Sequence, residues 1–178
     1  YSIDIDDRSN SRDDDNSWLF RSLCHRTLFA INKSASLTVN DSGGDGQILF
    51  KADMIGVHLY AVLFGDIERL HRYATRDIFS VYGSLTINGG TFSAGNTKEQ
   101  YIHNKVCYAE QIARGHVIIA NSNSNVIVNG GTLIGHSIGT EDDETASTLK
   151  LWDESNVVIN GGSFVMKGCG KIIDRGAS

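Results

Sequence analysis

His116, Lys150 and Lys171 are the basic side chains of this 178-residue sequence whose surroundings invite chemistry. Each opens or lies in a short apolar run, HVIIA, LKLW and KIID, and a fourth run, DIFSV, opens on Asp77. Aligned on those runs, Asp77, His116, Lys150 and Lys171 form a column just ahead of Ile78, Val117, Leu151 and Ile172. Period-2 alternation turns the apolar members inward, so the column faces outward on one sheet. A base with a lowered pKa can take a proton from a carbon beside a carboxylate, and nearby cations stabilise the enolate-like intermediate. His116, Lys150 and Lys171 are the candidate catalytic residues. Asp77, Trp152, Asp153, Asp174 and Arg175 are the candidate binding residues, with Trp152 and Phe79 offering rings on which sugars stack. A solvated strand face carries the same residue types, because Lys beside Asp is commonplace there.

The elements that would position these residues are written three times. SLTINGGTF runs from Ser84, NVIVNGGTL from Asn125 and NVVINGGSF from Asn156, and a looser copy, SLTVNDSGGDGQILF, starts at Ser36. KIIDRGAS from Lys171 begins a fifth unit. Each unit reads strand, polar turn, strand, Asn-Gly bend, short strand, then a connection of variable length. In the middle strand Leu37 and Val39, Leu85 and Ile87, Val126 and Val128, and Val157 and Ile159 alternate with polar residues, which buries one face. A strand this short cannot bury that face alone, whereas stacked copies can.

The sequence holds 19 glycines and no proline, so its sharp bends rely on left-handed backbone, which glycine and asparagine tolerate. Asn40, Asn88, Asn129 and Asn160 close the middle strand of each unit. We assign them left-handed backbone and a structural ladder in which each amide donates to the next.

Strand, Asn-Gly bend, strand and variable loop, with Asn recurring at the bend, resembles the right-handed parallel β-helix of the pectate-lyase type from Thr27 to the C-terminus. The resemblance implies an all-β solenoid of about four to five coils with loop insertions and an N-terminal cap. Enzymes, tailspikes and surface proteins share that repeat grammar, so it says more of fold than of activity. In lyases of this type a basic residue on the outer face abstracts the proton and carboxylates hold calcium. The His116, Lys150 and Lys171 column has the right residue types, but no carboxylate triplet for calcium accompanies it. The competing architecture is a sandwich or meander with the Asn-Gly pairs as hairpin turns.

The spacings between successive bend asparagines are 48, 41 and 31 residues, so insertions interrupt the repeat. The first, 51–76, contains DIERLHRYA, which fits a short helix. The second is 96–115, and the third, GTEDDETAST, is acidic. Loops on one side of a rigid stack are where binding usually sits. Residues 1–26 form a polar segment followed by SWLFRSLCHRTLF, apolar enough to cap an open end, and 27–178 form the repeat domain. The opening residues have neither Met nor a signal-peptide pattern and read as a cut end. His25, His58, His71, His103 and His136 are dispersed without metal-ligand spacing. Cys24, Cys107 and Cys169 also lack metal spacing and read first as three free thiols, second as one disulfide and a leftover thiol.

The net charge of -5, with 16 scattered basic residues, offers no stripe for a phosphate backbone, and no apolar run is long enough to span a bilayer. The expectation is a secreted or cell-surface module, adhesin-like, that binds a polysaccharide, a surface glycan or a protein partner through its loops. It needs no cofactor, and calcium enters only if the chain is a polysaccharide lyase or hydrolase. A purely structural segment that self-associates through open helix ends is the remaining alternative.

Overall fold

The computed structural model describes residues 25–50, 75–103, 106–137 and 146–176. Residues 17–24 of the apolar segment SWLFRSLCHRTLF, the segment DIERLHRYA and most of the acidic loop lie outside the described residues. Within them the chain is all β and no residue is helical.

Thirteen of the strands build three parallel sheets. β1 (His25–Ile31), β4 (Thr75–Val81), β9 (Ile118–Ala120), β12 (Ser147–Leu151) and β15 (Lys171–Arg175) form the first, in that spatial order. β2 (Ser36–Val39), β5 (Ser84–Ile87), β10 (Asn125–Val128) and β13 (Asn156–Ile159) form the second. β3 (Gln47–Phe50), β6 (Thr91–Ala94), β11 (Thr132–Ser137) and β14 (Ser163–Gly168) form the third. Each pass of the chain lays one strand on each sheet and then starts the next rung, about 4.8 Å farther along. This is the arrangement of a parallel solenoid. The Asn-Gly-Gly segments are corners between sheets and close no hairpins. The antiparallel pair among the described residues is β7 (Asn96–His103) with β8 (Val106–Ala113), an arm inserted between β6 and β9.

The register explains the repeated apolar letters. Leu37, Leu85, Val126 and Val157 are successive partners, and Val39, Ile87, Val128 and Ile159 form the next column. Ile48, Phe92, Leu133 and Phe164 face them from the third sheet. The first sheet adds Phe29, Phe79, Ile118, Leu149 and Ile173. Phe79 stacks on Phe29 with centroids 5.4 Å apart and meets Phe92 edge-on at 5.5 Å, so it bridges two sheets across the interior. Phe79, Leu85, Ile87, Val126, Val128, Leu133 and Leu149 are fully buried, each contributing about 1.5–3 kcal/mol of hydrophobic stabilisation.

The corner works differently from the expectation that asparagine supplies the left-handed backbone. The described non-glycine residues with positive φ are Asn123 and Glu154, in the four-residue turns between β9 and β10 and between β12 and β13. At the bend it is the second glycine that turns: Gly90, Gly131 and Gly162 have φ of 98°, 98° and 107°. At Gly131 a side chain would also collide with the rung before it, since its Cβ would stand 2.7 Å from the Gly90 carbonyl oxygen. The asparagines stay extended because their N–H groups bond back to the preceding rung, as Asn88 N does to Val39 O at 2.9 Å.

Candidate functional site

The first sheet decides where the candidate residues stand. Phe79 is beside Ile118 and Ile118 beside Leu149, which places Asp77 next to His116 and His116 next to Ser147; Ser147 in turn pairs with Lys171. The aligned column is therefore Asp77, His116, Ser147 and Lys171. Lys150 lies three residues farther along, between Ile119 and Asp174. The sequence alignment misplaced it by an odd number of residues, because the adjacent apolar residues Ile78 and Phe79, Val117 and Ile118, and Ile172 and Ile173 leave open which of each pair aligns with Leu149. The inward register residues are correspondingly Phe79, Ile118, Leu149 and Ile173. Ile78 and Val117 are nonetheless fully buried.

Asp77 and His116 do not form an outward, solvated face. Both are 8% exposed, and Ser147 is fully buried. Asp77 Oδ1 accepts the backbone N–H of His116 at 2.9 Å, and His116 Nδ1 accepts the backbone N–H of Ser147 at 2.9 Å. Each side chain thus caps the amide of its counterpart one rung up. These N–H groups would otherwise be buried without a partner, which costs about 1–3 kcal/mol each. Nδ1 also lies 3.0 Å from Ser147 O and 3.1 Å from its Oγ.

Accepting a hydrogen bond at Nδ1 requires a lone pair there, so the neutral imidazole carries its proton on Nε2. The electrostatics agree. Burial holds the His116 pKa below the usual imidazole value of 6.5; Asp77 and the backbone bond to Ser147 oppose the shift, and Lys150 and Arg114 reinforce it. In this state His116 has no lone pair left for a substrate proton. The missing partner, Ser147, was not identified from sequence because nothing in STLKL marks a serine as a neighbour of His116.

The remaining candidates are on the outside. Lys171 is paired with Asp174 at 3.0 Å, its side chain 67% exposed. The Lys150 ammonium lies 4.9 Å from the centre of the Trp152 ring, a cation–π contact. Lys150 and Asp174 are strand partners, as are Leu151 and Arg175, so these side chains share the end of the first sheet. Asp153 is exposed in the following turn.

Tyr82, Asn121 and Trp152 occupy one corner position on three successive rungs, their N–H groups bonding to Ile31 O, Val81 O and Ala120 O. Tyr82 and Trp152 are 43% and 39% exposed and stand two rungs, about 10 Å, apart. Sequence reading missed Tyr82 because its turn to β5 has two residues where the equivalent turns have four, which hides the equivalence.

His136 is also buried, with Nε2 3.3 Å from Ser93 Oγ. Cys169 is disulfide-bonded, which replaces the expectation of three free thiols. Among the described residues no group of three or more His, Cys, Asp or Glu side chains is placed to hold a metal ion. Comparison with protein families, with curated proteins and with solved structures gave no match to this chain.

Proposed function

We propose that this chain is a non-catalytic, secreted or cell-surface module that binds a glycan on the outside of its stack. The architecture we infer is a right-handed parallel β-helix of pectate-lyase type, with about four to five coils and a cap supplied by the segment ahead of Thr27. The observation that carries the reading is the state of His116. The one candidate base with a lowered pKa is enclosed between rungs, with Nδ1 committed to the Ser147 amide. The side chains left to solvent, Tyr82 and Trp152 with Lys150, Lys171 and Asp174, suit recognition of a polyhydroxylated chain. Aromatic rings offer stacking faces and the charges offer directed hydrogen bonds. A disulfide at Cys169 fits an oxidising compartment.

A glycan array probed with the intact protein tests the proposal, followed by titration of the best ligand against Trp152→Ala and Tyr82→Ala. Each variant is expected to weaken binding at least tenfold, about 1.4 kcal/mol. The rival lyase reading predicts unsaturated uronate products in the presence of calcium, abolished by His116→Ala. Their appearance would overturn the non-catalytic reading.

A further inference from the structure

Two rows of side chains climb the corner between the first and second sheets together. The corner row holds Tyr82, Asn121, Trp152 and Gly176 on successive rungs, their N–H groups bonding to Ile31 O, Val81 O, Ala120 O and Leu151 O. The row beside it opens the second sheet: Ser36, Ser84, Asn125 and Asn156 are strand partners in that order. They alternate with the inward Leu37, Leu85, Val126 and Val157, so they face outward, and none of them is buried. Neither row contains a charged residue.

Both aromatic positions are held by glycines. The Trp152 indole leans across the next rung where Gly176 leaves room, because a Cβ there would stand 2.9 Å from Trp152 Cε3. At Tyr82 the two-residue turn is tucked under the rung before it, since a Cβ on Gly83 would overlap the Asn32 and Ala35 carbonyl oxygens. Tyr82 is thereby set back between the longer turns 32–35 and 121–124. Charge along the corner is balanced, with Lys33 and Lys150 against Asp153 and Glu154, while Lys171 is paired with Asp174. The two uncompensated carboxylates nearest the indole are Asp153 and Glu154, in the turn that follows it. Glu154 Oε2 also accepts Asn123 Nδ2 at 3.2 Å, which ties the fourth turn to the third.

We propose, resting on the glycan reading above, that the ligand is a neutral, extended β-1,4-linked polysaccharide lying along this corner, parallel to the axis of the stack. Such a chain advances by close to the height of one rung per sugar and turns each sugar over relative to the last. Sugars two apart therefore offer the same face to one side. Tyr82 and Trp152, two rungs or about 10 Å apart, meet those alternate sugars by stacking. Ser84, Asn125 and Asn156, one per rung, supply hydrogen bonds to the hydroxyls. An α-1,4-linked chain coils away from a straight row, and a uronate would bring its carboxylate against Asp153 and Glu154.

Calorimetric titration of the full chain with β-1,4-linked glucose and mannose oligomers of two, four and six units tests this. Affinity for at least one series is expected to rise tenfold or more between two and four units, because two sugars reach one ring and four reach both. Tyr82→Ala and Trp152→Ala should each abolish that rise while leaving the circular dichroism spectrum unchanged, both side chains being exposed. Hexamers of α-1,4-linked glucose and of α-1,4-linked galacturonate should bind at least tenfold more weakly than the β-1,4-linked hexamer. Equal affinity for two and four units in both series would overturn the proposal, and so would a rise that survives Tyr82→Ala. An α-linked or acidic chain that binds best and still depends on Trp152 and Tyr82 would overturn it too, yet leave the glycan reading standing. If no glycan binds at all, both fall.

Discussion

Leu149 and Ile173 stand in one column of the first sheet, as do Val128 and Ile159 in the second, yet the inner member of each pair is sealed and the outer member is close to half exposed. The side chains are of similar size and the strands have the same pattern. What differs is whether another rung lies above. In a stack of this kind burial is conferred by the next copy of the repeat, so the same residue type is core in one rung and surface in the next.

That contrast is sharpest at Phe79, which touches both Phe29 and Phe92. Phe79→Ala removes a ring shared by two sheets and is expected to destabilise the chain by about 3–5 kcal/mol. Ile173→Ala, although it trims the same column, should cost no more than about 0.5–1 kcal/mol, because much of the lost surface is already wet. Chemical denaturation of both variants checks the ratio. Comparable losses would mean that the last rung is as sealed as the middle ones.

The interior and exterior also differ in how they respond to protons. His116 is neutral inside, with its pKa held below 6.5, whereas the unfolded chain titrates near that value. The unfolded state therefore binds more protons on acidification. Stability attributable to His116 is complete above about pH 6.5 and declines as the pH falls below it. His116→Asn keeps a side-chain acceptor for the Ser147 amide and loses the titration. The difference between the denaturation midpoints of wild type and variant should accordingly change between pH 7.5 and pH 5, in the direction that favours the variant at low pH.

The repeat was legible because stacking writes the same constraint into each copy. Leu85, Val126 and Val157 must all be apolar, and Gly90, Gly131 and Gly162 must all lack a side chain. The site was less legible for the same reason. Alternation fixes a face only where apolar and polar residues truly alternate; DIFSV, HVIIA and KIID hold adjacent apolar residues, and the pairing puts Phe79, Ile118 and Ile173 in register with Leu149 where the sequence pattern suggested Ile78, Val117 and Ile172. Nor does alternation reveal that a polar residue such as His116 is enclosed. Its enclosure comes from the rungs on either side, where Asp77 and Ser147 bond to it. The left-handed bend was placed two residues early, on asparagine, because Asn and Gly share that tolerance and the amide bond that ties Asn to the preceding rung is a contact between rungs.

The smallest expected effect separates the ladder's middle from its end. Asn129 makes two ladder bonds, donating to Asn88 and accepting from Asn160, whereas Asn160 makes one. Both amides are exposed, so each bond competes with water and contributes at the low end of the usual range, about 0.5–1 kcal/mol. Asn129→Ala should therefore lose roughly twice what Asn160→Ala loses when the proteins are compared as monomers at high dilution. Equal losses in chemical denaturation would mean that the second bond at Asn129 contributes nothing beyond what water supplies.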